Sequence, residues 1–135
     1  MDNEKAFDLK IITPDRVFYE GKVEMVEMNT TEGEIGVYKN HIPLTVIIKP
    51  GILTITEDAD NVKEAALHEG FATIMPDGVT IMAEIIEWPA EIDVERAEAA
   101  KSRAQERLEK RDDATDIARA ETALLRATCR IEAVR

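Results

Sequence analysis

The sequence predicts a β + α chain: an N-terminal β-sandwich over residues 1–88, followed by a C-terminal antiparallel two-helix hairpin over residues 89–135. Three observations carry this. Apolar and polar residues alternate with period two before Trp88. Every glycine and proline lies at or before Pro89. Beyond Pro89, apolar residues recur at helical spacing.

In the sandwich, Phe7, Leu9 and Ile11 alternate with Asp8 and Lys10. Leu53 and Ile55 alternate with Thr54 and Thr56, and Val79, Ile81 and Ala83 with Thr80 and Met82. Each run buries one face of a strand. Turn signals separate such runs at Pro14-Asp15, Gly21, Gly33, Asn40 to Pro43, Pro50-Gly51, Asp58 to Asn61, Gly70 and Pro76 to Gly78. Short strands at that spacing are the mark of a sandwich or flattened barrel.

Pro89 cannot continue a central strand. After it, alanine, glutamate and arginine dominate, which favours helix. Asp93 is placed to cap a first helix from about Val94 to Lys110; Arg111-Asp112-Asp113 reads as a break, with Asp113 capping a second. In the second helix Ile117, Ala120, Leu124, Ala127, Ile131 and Val134 form an apolar seam. The first helix offers only Ala97, Ala100, Ala104 and Leu108. A methyl buries far less area than a leucine side chain, at about 0.8 kcal/mol per CH₂. Such helices separate at modest cost, so a stable surface hairpin and an arm with two packings both fit the pattern.

The formal charge is −11. Residues 1–88 carry almost all of the excess acid, while eight of the nine arginines lie beyond them. So acidic a body argues against a duplex-binding surface. Arg96, Arg103 and Arg107 share one helical face, and Arg119, Arg126 and Arg130 repeat the spacing. Ion pairs along a solvated face explain some of them, since Arg96, Arg103 and Arg119 have an acidic neighbour three residues away. Arg107, Arg126 and Arg130 have none at three or four, and Arg126–Arg130 is a like-charge pair one turn apart. An anion or an acidic partner from outside the helix would resolve this, and arginine forks suit phosphate and carboxylate alike.

Catalytic signatures are missing. There is no G-x-x-x-x-G-K-[ST] loop and no G-x-G-x-x-G. His41 reads as a turn residue and His68 as a strand-end residue, neither in metal-ligand spacing with cysteine or carboxylate. Cys129 is the only cysteine, so no internal disulfide forms, which fits a reducing compartment. It falls off the seam and reads as inert. Residues Met1 to Lys5 lack the features of a signal peptide, and no apolar run is long enough to span a membrane.

Several segments carry more than pattern. Thr13-Pro14-Asp15-Arg16-Val17-Phe18-Tyr19-Glu20-Gly21 is followed by Gly33-Glu34-Ile35-Gly36, by Asn40-His41-Ile42-Pro43-Leu44 and by Lys49-Pro50-Gly51. In this order they resemble the epsilon subunit of bacterial F-type ATP synthase, from about Phe7 to the end. The resemblance implies a ten-stranded sandwich with two C-terminal helices, bound to the gamma subunit and seated on the c ring at the cytoplasmic face of the cell membrane. It implies a non-catalytic role: coupling gamma to the c ring, and inhibiting ATP hydrolysis when the helices extend towards the alpha and beta catalytic subunits. It implies neither nucleic-acid binding nor membrane insertion. The loop with Glu34 would face the c ring, and His41 would lie near the gamma and c contacts. Glu69-Gly70-Phe71 stands where many relatives have two glycines, a departure expected to affect only a turn.

Some relatives bind ATP in the folded hairpin through Ile-Asp-x-x-Arg-Ala, which is similar to Ile92, Asp93, Arg96 and Ala97 here. The further contacts map onto Glu87, Arg103, Arg126 and Arg130. No cofactor is required, and ATP is the regulatory ligand so implied. Asp93 as a plain N-cap explains the motif's aspartate equally. The rivals to this reading are a stand-alone intracellular ATP sensor and a small enzyme with a carboxylate site on the sandwich.

Overall fold

The computed structural model describes residues 4–110 and 116–135. Eight strands precede two helices among the described residues: β1 Phe7–Ile12, β2 Val17–Val23, β3 Met25–Thr30, β4 Gly33–Val37, β5 Leu44–Ile48, β6 Gly51–Asp58, β7 Asn61–Met75, β8 Gly78–Glu87, α1 Val94–Lys110 and α2 Ile117–Ala133. The strand order is β2-β1-β8-β7-β5-β3-β4, and β6 bridges β3 and β7. All pairings are antiparallel except that of β1 with β8.

The ten strands implied by the resemblance are eight here because long strands serve several neighbours. The first half of β7 pairs with β6 up to Leu67, and its second half pairs with β5 from Gly70 to Ile74. Gly21 and Gly70, expected in turns, lie inside β2 and β7. Gly70 has φ +152, and a Cβ there would meet the Met82 carbonyl oxygen at 2.2 Å. Only glycine allows β7 to bend so closely over β8.

The inward positions expected from alternation form the core. Phe7, Leu9, Ile11, Leu53, Ile55, Val79 and Ile81 are buried in one cluster with Met28, Leu67 and Ile74. Side chains of this kind contribute about 1.5–3 kcal/mol each when fully buried.

Trp88 and Glu91 pin the exit from β8. Trp88 stacks on Phe18 of β2, ring centroids 4.3 Å apart. Glu91 ends a 3₁₀ turn over Pro89–Glu91. Its carboxylate accepts both oxygens' worth of hydrogen bonds from Arg16 at 2.8 Å, and one from the Trp88 N–H at 2.9 Å. That backbone N–H, and then the Arg16 guanidinium, hold the Glu91 carboxyl below its usual pKa.

α1 has the expected bounds, and Asp93 Oδ1 accepts from the Arg96 N–H at 3.1 Å. α2 is capped by Asp116, whose side chain accepts from the Arg119 N–H at 3.0 Å. The expected break at Arg111 to Asp113, with its Asp113 cap, lies outside the described residues. α2 rests on β6 and β7, and α1 packs on α2. Ala97 and Ala104 of α1 are buried, as are Ala120, Ala127 and Ile131 of the α2 seam. Cys129 is off that seam yet buried, because α2 is covered on two sides. Its thiol donates to the Gly51 carbonyl at 3.1 Å. Burial raises the thiol pKa to about 11, which fits the expected inertness.

Candidate functional site

The junction of sandwich and hairpin is built around Glu87, the last residue of β8. Its Oε1 accepts from Arg130 Nε of α2 at 2.7 Å and lies 3.0 Å from His68 Nε2 of β7. His68 is fully buried in mid-strand, so the strand-end reading is corrected. Burial is the main cause that lowers its pKa, partly opposed by the hydrogen bond to Glu87. The neutral ring therefore donates from Nε2, leaving Nδ1 as an acceptor with no partner among the described residues. One turn before Arg130, the Arg126 guanidinium pairs with Glu69 of β7. Its buried Nε has no partner among the described residues.

Glu69 corrects a second expectation. The departure from a glycine pair does not merely alter a turn; it sets a carboxylate against α2. The two arginines that α2 leaves without acidic neighbours, Arg126 and Arg130, both meet acids of the sandwich.

Beside Glu87 opens a cleft of about 370 Å³. It is lined by Glu87, Glu91, Asp93, Arg96, Arg103 and Arg130, with Ala97 and Ala100 on its floor. Residues of β8, the entry to α1, α1 itself and α2 converge there. Its size falls within the range of about 300–1,000 Å³ usual for ligand sites. Three guanidiniums face three carboxylates, an arrangement suited to a ligand with both anionic groups and hydrogen-bond donors. Of the nucleotide residues expected from the sequence, Glu87, Asp93, Arg96, Ala97, Arg103 and Arg130 are gathered here. Ile92 is half-buried and does not line the cleft; its N–H bonds the Pro89 carbonyl at 3.2 Å. Arg126 is turned to Glu69 instead.

Glu34 is exposed on β4, and His41 lies in the β4–β5 loop with Nδ1 2.8 Å from the Ile42 carbonyl. Neither lines the cleft. Sequence reasoning gave His68, Glu69, Glu91 and Arg16 no part in this junction. One signal was present: the unbroken apolar run Ala65-Ala66-Leu67 leads into His68, the mark of a strand covered on both faces, and all four residues are buried.

Fold and cleft together define a β-sandwich module with a docked helical hairpin and a mixed-charge site at their junction. The chain matches the family model "ATP synthase, Delta/Epsilon chain, beta-sandwich domain" over residues 6–89, and "ATP synthase, Delta/Epsilon chain, long alpha-helix domain" over residues 90–135. It is 46% identical over 130 residues to the ATP synthase epsilon chain of Caldanaerobacter subterraneus subsp. tengcongensis, covering 96% of this chain and 94% of that one. It is 42% identical to that of Clostridium novyi, covering 96% and 98%. A chain in the cryo-EM structure of the Euglena gracilis mitochondrial ATP synthase has the same fold, with TM-score 0.84 at 24% identity, covering 96% of this chain and 82% of that one. The chain belongs to the ATP synthase delta/epsilon family, as an epsilon subunit of an F-type ATP synthase. It is thus part of a membrane-bound complex, and among the described residues no helix is long and apolar enough to cross a membrane.

Proposed function

We propose that this subunit is non-catalytic and regulatory, and that ATP binds the junction cleft to hold the hairpin folded. The observation that carries the reading is the convergence of Glu87, Asp93, Arg96, Ala97, Arg103 and Arg130 on one cleft. The guanidiniums of Arg96, Arg103 and Arg130 would meet the phosphates, and Glu87 and Asp93 would accept from hydroxyl or amino groups of the nucleoside. A ligand held between α1, α2 and β8 stabilises the docked hairpin by its preference for that state. Loss of ATP would release the arm towards the alpha and beta catalytic subunits, where it restrains hydrolysis.

Calorimetric titration of the isolated chain with ATP, with and without magnesium, tests this. Saturable binding that Arg103→Ala weakens supports a nucleotide clamp. No binding up to millimolar ATP, or affinity unaltered in both Arg103→Ala and Arg126→Ala, refutes it.

The proposed seat between gamma and the c ring has support on the outer face of the sandwich. Ile47, Phe71, Met82, Ile12 and Val17 stand in one register row across β5, β7, β8, β1 and β2. Ile47, Phe71, Met82 and Val17 are 62%, 42%, 44% and 53% exposed. Such a row fits a protein partner, proposed to be gamma. Tyr38 and Ile42, also exposed, flank His41 where the c-ring and gamma contacts are proposed, with Glu34 on the neighbouring strand. Phe71→Asp is expected to cut co-purification with gamma by roughly ten-fold or more, as loss of a buried aromatic anchor does. Undiminished recovery of gamma would move the interface off this face. Failure of even the native chain to retain gamma would favour a stand-alone ATP sensor.

A further inference from the structure

We propose that Glu69 is an internal anion that keeps the hairpin docked: by pairing with Arg126 it holds α2 on the sandwich without a nucleotide. It also competes with a bound anion for that arginine. The second half rests on the nucleotide reading above; the first does not.

The backbone delivers Glu69 to the helix. Before it, Ala65 and Leu67 of β7 point into the core; after it, Ala72 and Ile74 do. Inward positions therefore change from odd to even between Leu67 and Ala72. The register with β8 slips at the same place, between Leu67 and Glu69 and again between Glu69 and Gly70. Such a bulge re-aims side chains. Without it Glu69 would follow Leu67 into the core. With it, the carboxylate meets Arg126 of α2, which lies on β7.

The electrostatics fit a clasp. Arg126 and Arg130 repel each other across one turn of α2. Glu69 answers the first and Glu87 the second. The Glu69 and Arg126 side chains are 36% and 34% exposed, so the pair is only partly screened by solvent. Arg126 does not line the cleft, so a polyphosphate there could engage it only if the guanidinium turned from Glu69 towards the cleft.

Cys129 provides a reporter within the native chain. Its thiol is buried between α2 and the Gly51 carbonyl, so a thiol reagent reaches it when α2 lifts. Trp88, stacked on Phe18, reports separately on the sandwich. The experiment is the rate of Cys129 labelling by Ellman's reagent on the full chain, without nucleotide and at low salt. Glu69→Gln is expected to speed labelling roughly five-fold, the scale of a partly exposed ion pair, with Trp88 fluorescence unchanged. Arg126→Gln should act equally, and the double variant no more than either. An unchanged rate in Glu69→Gln overturns the clasp. So do fully additive effects, or a gain that tracks loss of the Trp88 signal and hence global unfolding.

ATP titration then judges the competition. Glu69→Gln is expected to bind several-fold more tightly than the native chain, and equal affinity overturns that half. Absence of binding in both proteins removes the nucleotide reading and the competition with it, while the labelling rates still decide the clasp.

Discussion

A buried imidazole that shares one carboxylate oxygen with a guanidinium makes the junction sensitive to acid. His68 has no exposed surface, and it faces Glu87, Arg130 and Arg126. Its pKa is lowered in the folded chain, chiefly by burial. The unfolded chain therefore binds the proton first, and stability rises with pH in this window. The contribution is complete above the ordinary imidazole pKa of about 6.5 and is lost as pH falls from there through the lowered value. Thermal unfolding between about pH 7.5 and pH 5.5 brackets that imidazole window. The native melting temperature should drop across it, and the drop should shrink in His68→Gln. An equally steep profile in that variant would assign the effect to other groups. The sequence does not disclose this pairing: His68 and Glu87 are 19 residues apart on strands whose register only the fold sets. Arg126 and Arg130 were legible as charges lacking a local partner, but not the identity of that partner, because the apolar run Ala65 to Leu67 and the outward Phe71 mask the change of phase that re-aims Glu69.

Helix α1 begins where its own cap borders the cleft, so Asp93 serves two ends. Its Oδ1 accepts from the Arg96 N–H, and it also lines the cleft. Substitution separates the roles. Asparagine caps as well as aspartate, whereas alanine costs about 1 kcal/mol. Asp93→Asn should thus leave the melting temperature nearly unchanged while altering ATP affinity, and Asp93→Ala should lower both. If Asp93→Asn binds ATP like the native chain, the charge at Asp93 has no part in the site and only the cap remains. At this scale the sequence was readable where local chemistry decides. Asp93, Val94 and Lys110 marked α1 correctly, because capping and propensity act within a turn. The second helix uses the same chemistry at its start, where Asp116 offers its side chain to the Arg119 N–H. Strand count was less readable. β7 runs through Gly70 without a turn, a choice made by its pairing with β8 and not by the glycine alone.

The molecule divides into a self-supporting part and a conditional one. The main core cluster is drawn wholly from the strands, from Phe7 to Ile86, with Trp88 packed against it. None of its members comes from α1 or α2. Glu91 fastens the end of β8 to Arg16 and the Trp88 N–H, so the last strand is secured before the helices begin. The hairpin has no comparable resource. The buried residues of α1 are alanines only, and α2 is held by small apolar contacts, Cys129 and two ion pairs that are each partly exposed. A chain cut after Ile92 should therefore fold as a sandwich and unfold in one transition. The lost docking contacts, which are the two ion pairs and the burial of Ile131, Ala127 and Cys129, should lower its melting temperature by about 10 °C or more. Circular dichroism should lose its helical component and keep the strand signal, and the stacked Trp88 should keep its native fluorescence. A broad transition, or loss of the Trp88 signal, would mean that α2 completes the core instead of resting on it. In that case release of the arm would unfold the sandwich, and the hairpin could not work as a switch. Retention of the fold is what the proposed release of the arm requires, since α2 would have to leave β6 and β7 while the sandwich stays folded.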